Sequence, residues 1–94
     1  MDSVREAIQA LNPDEAYLVS DRTVEVLLQD GRWLRFTAAE DLKTDGFTAV
    51  REIAADVHVD GHSVRLWESV DLPEAHADTA EDCLAQAIRW LPAG

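Results

Sequence analysis

The spacing of apolar residues changes along this chain, and each change marks a new element. Val4, Ala7, Ile8 and Leu11 recur at three- and four-residue intervals behind Asp2 and Ser3, which predicts a short helix closed by Asn12-Pro13. Beyond Ala16 the pattern is that of strands: Tyr17-Leu18-Val19, Val24 to Leu28 and Trp33 to Phe36, with Asp30-Gly31 marking a hairpin between the last two. Thr37-Ala-Ala-Glu40 has the spacing of a capping box and predicts a turn or two of helix, and Ala49, Val50 and Ile53 fit a short helical segment over Thr48 to Ala54. A second hairpin follows, Val57-His58-Val59 and His62 to Trp67 around Asp60-Gly61. Thr79-Ala-Glu-Asp82 then opens a final helix whose stripe is Ala80, Cys83, Leu84, Ala87, Ile88 and Leu91, ended by Pro92.

Hairpin register follows from which residues must share a face. A two-residue Asp30-Gly31 loop would mix charged and apolar side chains on both faces of the first hairpin. A three-residue loop, Gln29-Asp30-Gly31 with Gly31 left-handed, instead places Val24, Val26, Leu28, Leu34 and Phe36 together as core. Glu25, Leu27, Trp33, Arg35 and Thr37 then take the opposite face. In the second hairpin an even, type I′ loop sorts the residues, aligning Val57 and Val59 with His62, Val64 and Leu66 and leaving Asp56, His58, Ser63, Arg65 and Trp67 opposite. The expected fold is a single α+β domain over residues 1–94: a small, mainly antiparallel sheet of two β-hairpins with N-terminal and C-terminal helices packed on it.

Composition narrows the classes. The chain has 94 residues, enough for one core that buries roughly 60 to 65 per cent of the unfolded surface. A mean hydropathy of -0.19 leaves no membrane span. The single cysteine, Cys83, excludes an internal disulfide and fits a small buried apolar side chain on the last helix. With no basic, apolar leader at the start, the expected compartment is the cytoplasm. Nineteen acids against eight bases give a net charge of -11, which argues against direct nucleic-acid binding. The acids concentrate once, at Asp71, Glu74, Asp78, Glu81 and Asp82; a solvated linker and a helix start explain them, and an acidic binding surface is the competing reading.

The middle of the chain, roughly residues 14 to 75, resembles the small bacterial family called domain of unknown function 2442. The resembling residues are Val26-Leu27-Leu28-Gln29-Asp30-Gly31 with Leu34-Arg35-Phe36, then Asp41-Leu42, Gly46-Phe47, Val57-His58-Val59-Asp60-Gly61, Val64-Arg65-Leu66-Trp67 and Val70-Asp71-Leu72. The chain departs from that family where Glu68 replaces the usual Pro after Trp, and in its terminal helices. The resemblance implies a compact α+β module and carries over no catalytic residue.

Candidate chemistry is sparse. His58, Asp60 and His62 have a metal-like spacing, but the hairpin register sets the two histidines on opposite faces and the turn needs Asp60. His76 reads as exposed, and nothing groups a carboxylate with a His, a nucleophile or a phosphate-cradling loop. The expectation is a non-enzyme without catalytic residues, cofactor or metal. The strongest unassigned feature is aromatic: Trp33 with Arg35, and Trp67 with Arg65, all fall opposite the apolar faces. Two readings stand, a second core layer beneath a terminal helix with arginine stems over the rings, or a partner surface of the composition enriched in hot spots. Trp90 sits at the edge of either. The expected function is accordingly a small acidic interaction module that binds a protein partner, basic or otherwise, or itself as a homodimer. The alternative is an acidic inhibitor that mimics nucleic acid, of the antitoxin, anti-restriction or anti-CRISPR type, and blocks a basic nuclease or nucleic-acid-binding protein.

Overall fold

The computed structural model describes residues 2–70 and 75–90. Helix α1 (Asp2–Leu11) is followed by strands β1 (Glu15–Ser20), β2 (Thr23–Leu27), β3 (Trp33–Asp41), β4 (Gly46–Val59), β5 (His62–Ser69) and β6 (His76–Ala77), and by helix α2 (Ala80–Arg89). All strand pairs are antiparallel, in the order β1-β2-β3-β4-β5, and β6 pairs with β4. The α+β class expected from the sequence is therefore present, with more sheet than two hairpins supply.

Both turns sort the faces as their loop lengths require. Leu27 pairs with Trp33 and Val26 with Leu34, the three-residue register, while Gly31 adopts φ 91° and its amide donates to the Leu28 carbonyl. Val59 pairs with His62 across Asp60 (φ 50°) and Gly61 (φ 79°), the left-handed pair of a type I′ turn. Both expected helices in the middle of the chain are strands instead. Thr37 to Glu40 continues β3, because Ala38 follows Leu34 and Phe36 at a period of two and is buried like them. Thr48 to Ala54 belongs to β4, where Ala49, Arg51 and Ile53 share one face and a charged residue hides the alternation.

One face of the sheet carries the core. Val24, Val26, Leu34, Phe36, Ala38 and Ala49 pack with Cys83, Leu84, Ala85, Ala87 and Ile88 of α2 and with Val4 and Ala7 of α1. Helix α2 lies on β3, β4 and β6, and α1 packs mainly on α2. Thr79 caps α2 by accepting from the Asp82 amide, and Asn12 ends α1 in a left-handed conformation (φ 55°). The expected contributions of Leu91 and Pro92 lie outside the described residues. Arg51 is buried on the core face and its Nε donates to the Ala87 carbonyl in the last turn of α2, where a cation is favoured by the helix dipole. Burial pushes the Cys83 thiol up against the opposing influence of Arg51, and its Sγ donates to the Ala75 carbonyl.

The second hairpin departs from expectation in burial, not in register. Val57, Val59, Val64 and Leu66 share a face as expected, but are 39 to 52% exposed because the β4–β5 ribbon runs past the end of β3 and beyond the helices. At the opposite end, Gly46 lets β6 dock: a Cβ there would stand 2.6 Å from the Ala77 carbonyl oxygen.

Two measurements check this packing. In urea denaturation Phe36→Ala should cost about 3–5 kcal/mol, and Gly46→Ala about 1–3 kcal/mol because backbone must shift. Cys83 binds its proton more tightly folded than unfolded, so its contribution is whole below the ordinary thiol value and lost as pH rises through the folded one. Wild type should therefore lose stability relative to Cys83→Ala as pH climbs past about 8.5.

Candidate functional site

The helix-free face of the sheet gathers Trp33, Arg35, Arg65 and Trp67. Pairing explains how. On this face β4 presents Glu52, Ala54 and Asp56; Arg35 pairs with Glu52, Trp67 with Ala54 and Arg65 with Asp56. Ala54 follows Ile53, the partner of Leu34, so it lies in the row between the two indoles. A small side chain there leaves room for the arginines to cross. The Arg35 guanidinium carbon stands 4.3 Å from the Trp67 ring centroid, and that of Arg65 5.5 Å from the Trp33 centroid. Each arginine thus covers the tryptophan of the other hairpin rather than its own neighbour two residues away.

Acids on β4 hold both cations. Arg35 donates from Nε and Nη2 to the two carboxylate oxygens of Glu52 at 3.0 and 3.1 Å, a bidentate geometry in a half-buried setting. Arg65 approaches Asp56 at 3.6 Å with both side chains exposed. Tyr17 of β1 extends the row, stacking on Trp33 with centroids 6.0 Å apart and an interplanar angle of 22°. The Glu15 carboxylate beside it raises the Tyr17 hydroxyl pKa, by its charge and by a hydrogen bond. The sequence placed the four Trp and Arg residues on this face, but not Tyr17, because neither the turn nor the burial of β1 announces its register.

No described helix covers this surface, so the reading as a second core layer beneath a terminal helix is corrected: both helices occupy the other side. The arginine stems over the rings are present nonetheless. Trp90, exposed at the C-terminal cap of α2, belongs to the helix side.

The expected acidic surface is only partly in view. Asp71 and Glu74 lie outside the described residues. Asp78 and Asp82 are exposed at the start of α2, and with Ser3, Gln86 and Arg89 they line an open groove of about 360 Å³; Glu81 in the same turn is half-buried. His58 and His62 point to opposite faces, as the register requires. His76 Nδ1 lies 3.3 Å from Thr48 Oγ1 of β4 and 3.9 Å from Asp41 Oδ2 at the end of β3, contacts that tie β6 to both strands. No group of three or more metal-ligating side chains occurs among the described residues, and no described helix is long and apolar enough to cross a membrane.

No family model, curated protein or solved structure matches this chain.

The crossed stacking has a measurable energy. A double-mutant cycle on Arg35→Met and Trp67→Leu, read by urea denaturation, should give a coupling of about 0.5–1 kcal/mol. A coupling of zero would mean that the contact contributes nothing beyond its two side chains.

Proposed function

We propose that the protein is a non-catalytic interaction module that binds another protein through its Trp/Arg face. The observation that supports this most is an aromatic and arginine row, Tyr17, Trp33, Arg65, Trp67 and Arg35, on a sheet face that carries no described helix. Trp, Tyr and Arg are the side chains most enriched in binding hot spots, since each combines a large apolar area with a polar handle. Here the rings are already ordered by the guanidinium groups above them, which lowers the entropy lost on binding. The expected partner is a protein, favoured if basic by the charge of -11; we assign no cofactor and no direct nucleic-acid contact.

Nucleic-acid mimicry draws its support from the same charge but less from its distribution. Glu25, Glu52 and Asp56 lie on the open face, Glu68 faces the helix side, Asp30 and Asp60 sit in turns, and Asp78 and Asp82 flank the start of α2. Four acids, Asp30, Glu40, Glu52 and Asp56, are paired with Arg32, Arg22, Arg35 and Arg65. A phosphate-like row needs acids aligned and unpaired on one side.

Immobilised wild-type protein and the double variant Trp33→Ala/Trp67→Ala should be compared for capture from host lysate. The expected result is loss of a specific protein from the variant while its circular dichroism and melting transition persist. Equal capture by both proteins would overturn the assignment. Raising salt from about 0.05 to 0.5 M, read together with the variant, separates the two readings: mimicry requires a steep loss of binding that Trp33→Ala/Trp67→Ala leaves unchanged, and the aromatic interface requires binding at high salt that the variant lacks.

A further inference from the structure

The sheet has two outer edges, and they are guarded differently. Strand β5 carries Arg65 and Glu68 along its length, charges of the kind that discourage further pairing. Strand β1 is exposed at every position, and between Glu15 and Ser20 it contains neither a basic residue nor a proline. Tyr17, Leu18 and Val19, three large apolar residues in succession, are 51, 57 and 57% exposed. A bulge between Leu18 and Ser20 is its one structural guard.

The two sides of β1 differ in chemistry. Glu15 and Tyr17 point to the open face, in line with Glu25 and beside Trp33; Ala16 and Leu18 point to the helix side, in line with Val26 and Val24. An added strand would lay alternate side chains beside an acid and an aromatic ring on one face, and beside small and branched apolar groups on the other. Basic side chains suit the first row, where they pair with Glu15 and stack on Tyr17, and apolar ones the second.

A second copy of this chain fits the edge poorly. Two copies bring together charges of -11 each, and an antiparallel self-pair centred on Leu18 sets Glu15 opposite Asp21 of the other copy. We therefore propose that the outer edge of β1 receives an extended basic segment of a partner protein as an additional strand, its alternate Lys or Arg side chains lying over Glu15 and Tyr17. This rests on the reading of the open face as an interaction surface and names the partner's chemistry.

The probe is a ten-residue peptide alternating Arg and Val, compared with a peptide of the same composition in two blocks, Arg then Val. Binding to the full chain is read by fluorescence anisotropy, and strand addition by hydrogen exchange. The alternating peptide should bind about tenfold tighter than the block peptide and slow exchange of β1 amides. Glu15→Lys with Leu18→Lys, both at exposed positions, should weaken it about tenfold or more, whereas Glu68→Lys on β5 should weaken it less than about threefold. Equal binding of the two peptides, equal losses in the β1 and β5 variants, or a concentration-dependent dimer of the protein alone that protects β1 would overturn the proposal. None of these outcomes touches the Trp33→Ala/Trp67→Ala capture result, so the edge can fail while the face stands.

Discussion

Strand β4 is the constraint on which the rest of the structure depends. It pairs with β3 from Gly46 to Ile53, with β5 from Glu52 to Val59 and with β6 at Phe47 and Thr48. Because β3 holds one edge of Gly46 to Ile53, β6 and β5 follow one another along the other. A period-two strand of this length must satisfy two environments at once on each side. On the helix side it passes from core, at Ala49 and Arg51, to the exposed ribbon at Val57 and Val59. On the open side it sets Glu52, Ala54 and Asp56 in a row, and that order of acid, small residue, acid positions both arginines. A shift of one residue would turn Ala54 and its neighbours into the core and Arg51 into solvent.

The parts of this fold legible in the sequence are those set by local chemistry. Asp60-Gly61 and Gln29-Asp30-Gly31 determine loop length, loop length determines register, and register sets Trp33 with Arg35, and Trp67 with Arg65, each opposite the apolar face of its own hairpin; the pairing of β4 with both β3 and β5 puts the two pairs on one side. Thr79 signalled α2 in the same local way. What misled were signals whose competing explanation lies far along the chain. Thr37 and Glu40 have capping-box spacing, but no apolar helical run follows them, and pairing with β4 satisfies their backbone instead. Ala49, Val50 and Ile53 fit either period; only the burial of Arg51 against the Ala87 carbonyl decides, and a charged residue is a poor advertisement for a core position. The crossing of the arginines was invisible for a related reason, since it depends on the size of a third residue, Ala54, on a strand read as helix.

An uncovered sheet face on a two-layer domain exposes its apolar groups to water unless its own side chains shield them. Here the shielding is internal. Arg35 and Arg65 spread over the indoles and keep their charged ends near Glu52 and Asp56, so the rings are half-covered without a second helix layer. Pairing also cancels charge locally: in a chain of -11, the centre of this face is where two acids meet two bases at close range. An approaching surface meets little net field there, and the acids outside the centre, Glu15 and Glu25, set the sign that it meets at the rim.

The two arginine lids are not equivalent, and the difference bears on how such a face opens. Arg35 is held at two donor atoms by Glu52 and covers Trp67 at 4.3 Å; Arg65 has one longer approach to Asp56 and covers Trp33 at 5.5 Å. A bidentate, half-buried pair resists displacement more than an exposed single contact, whose worth is about 0–1 kcal/mol. Trp33 is therefore the ring uncovered at lower cost. It is also the ring on which Tyr17 stacks, and Tyr17 stands on the exposed edge strand β1. Edge and face are therefore continuous through the Tyr17–Trp33 stack, and on the proposed reading a partner strand along β1 would reach first the tryptophan whose arginine is easiest to move.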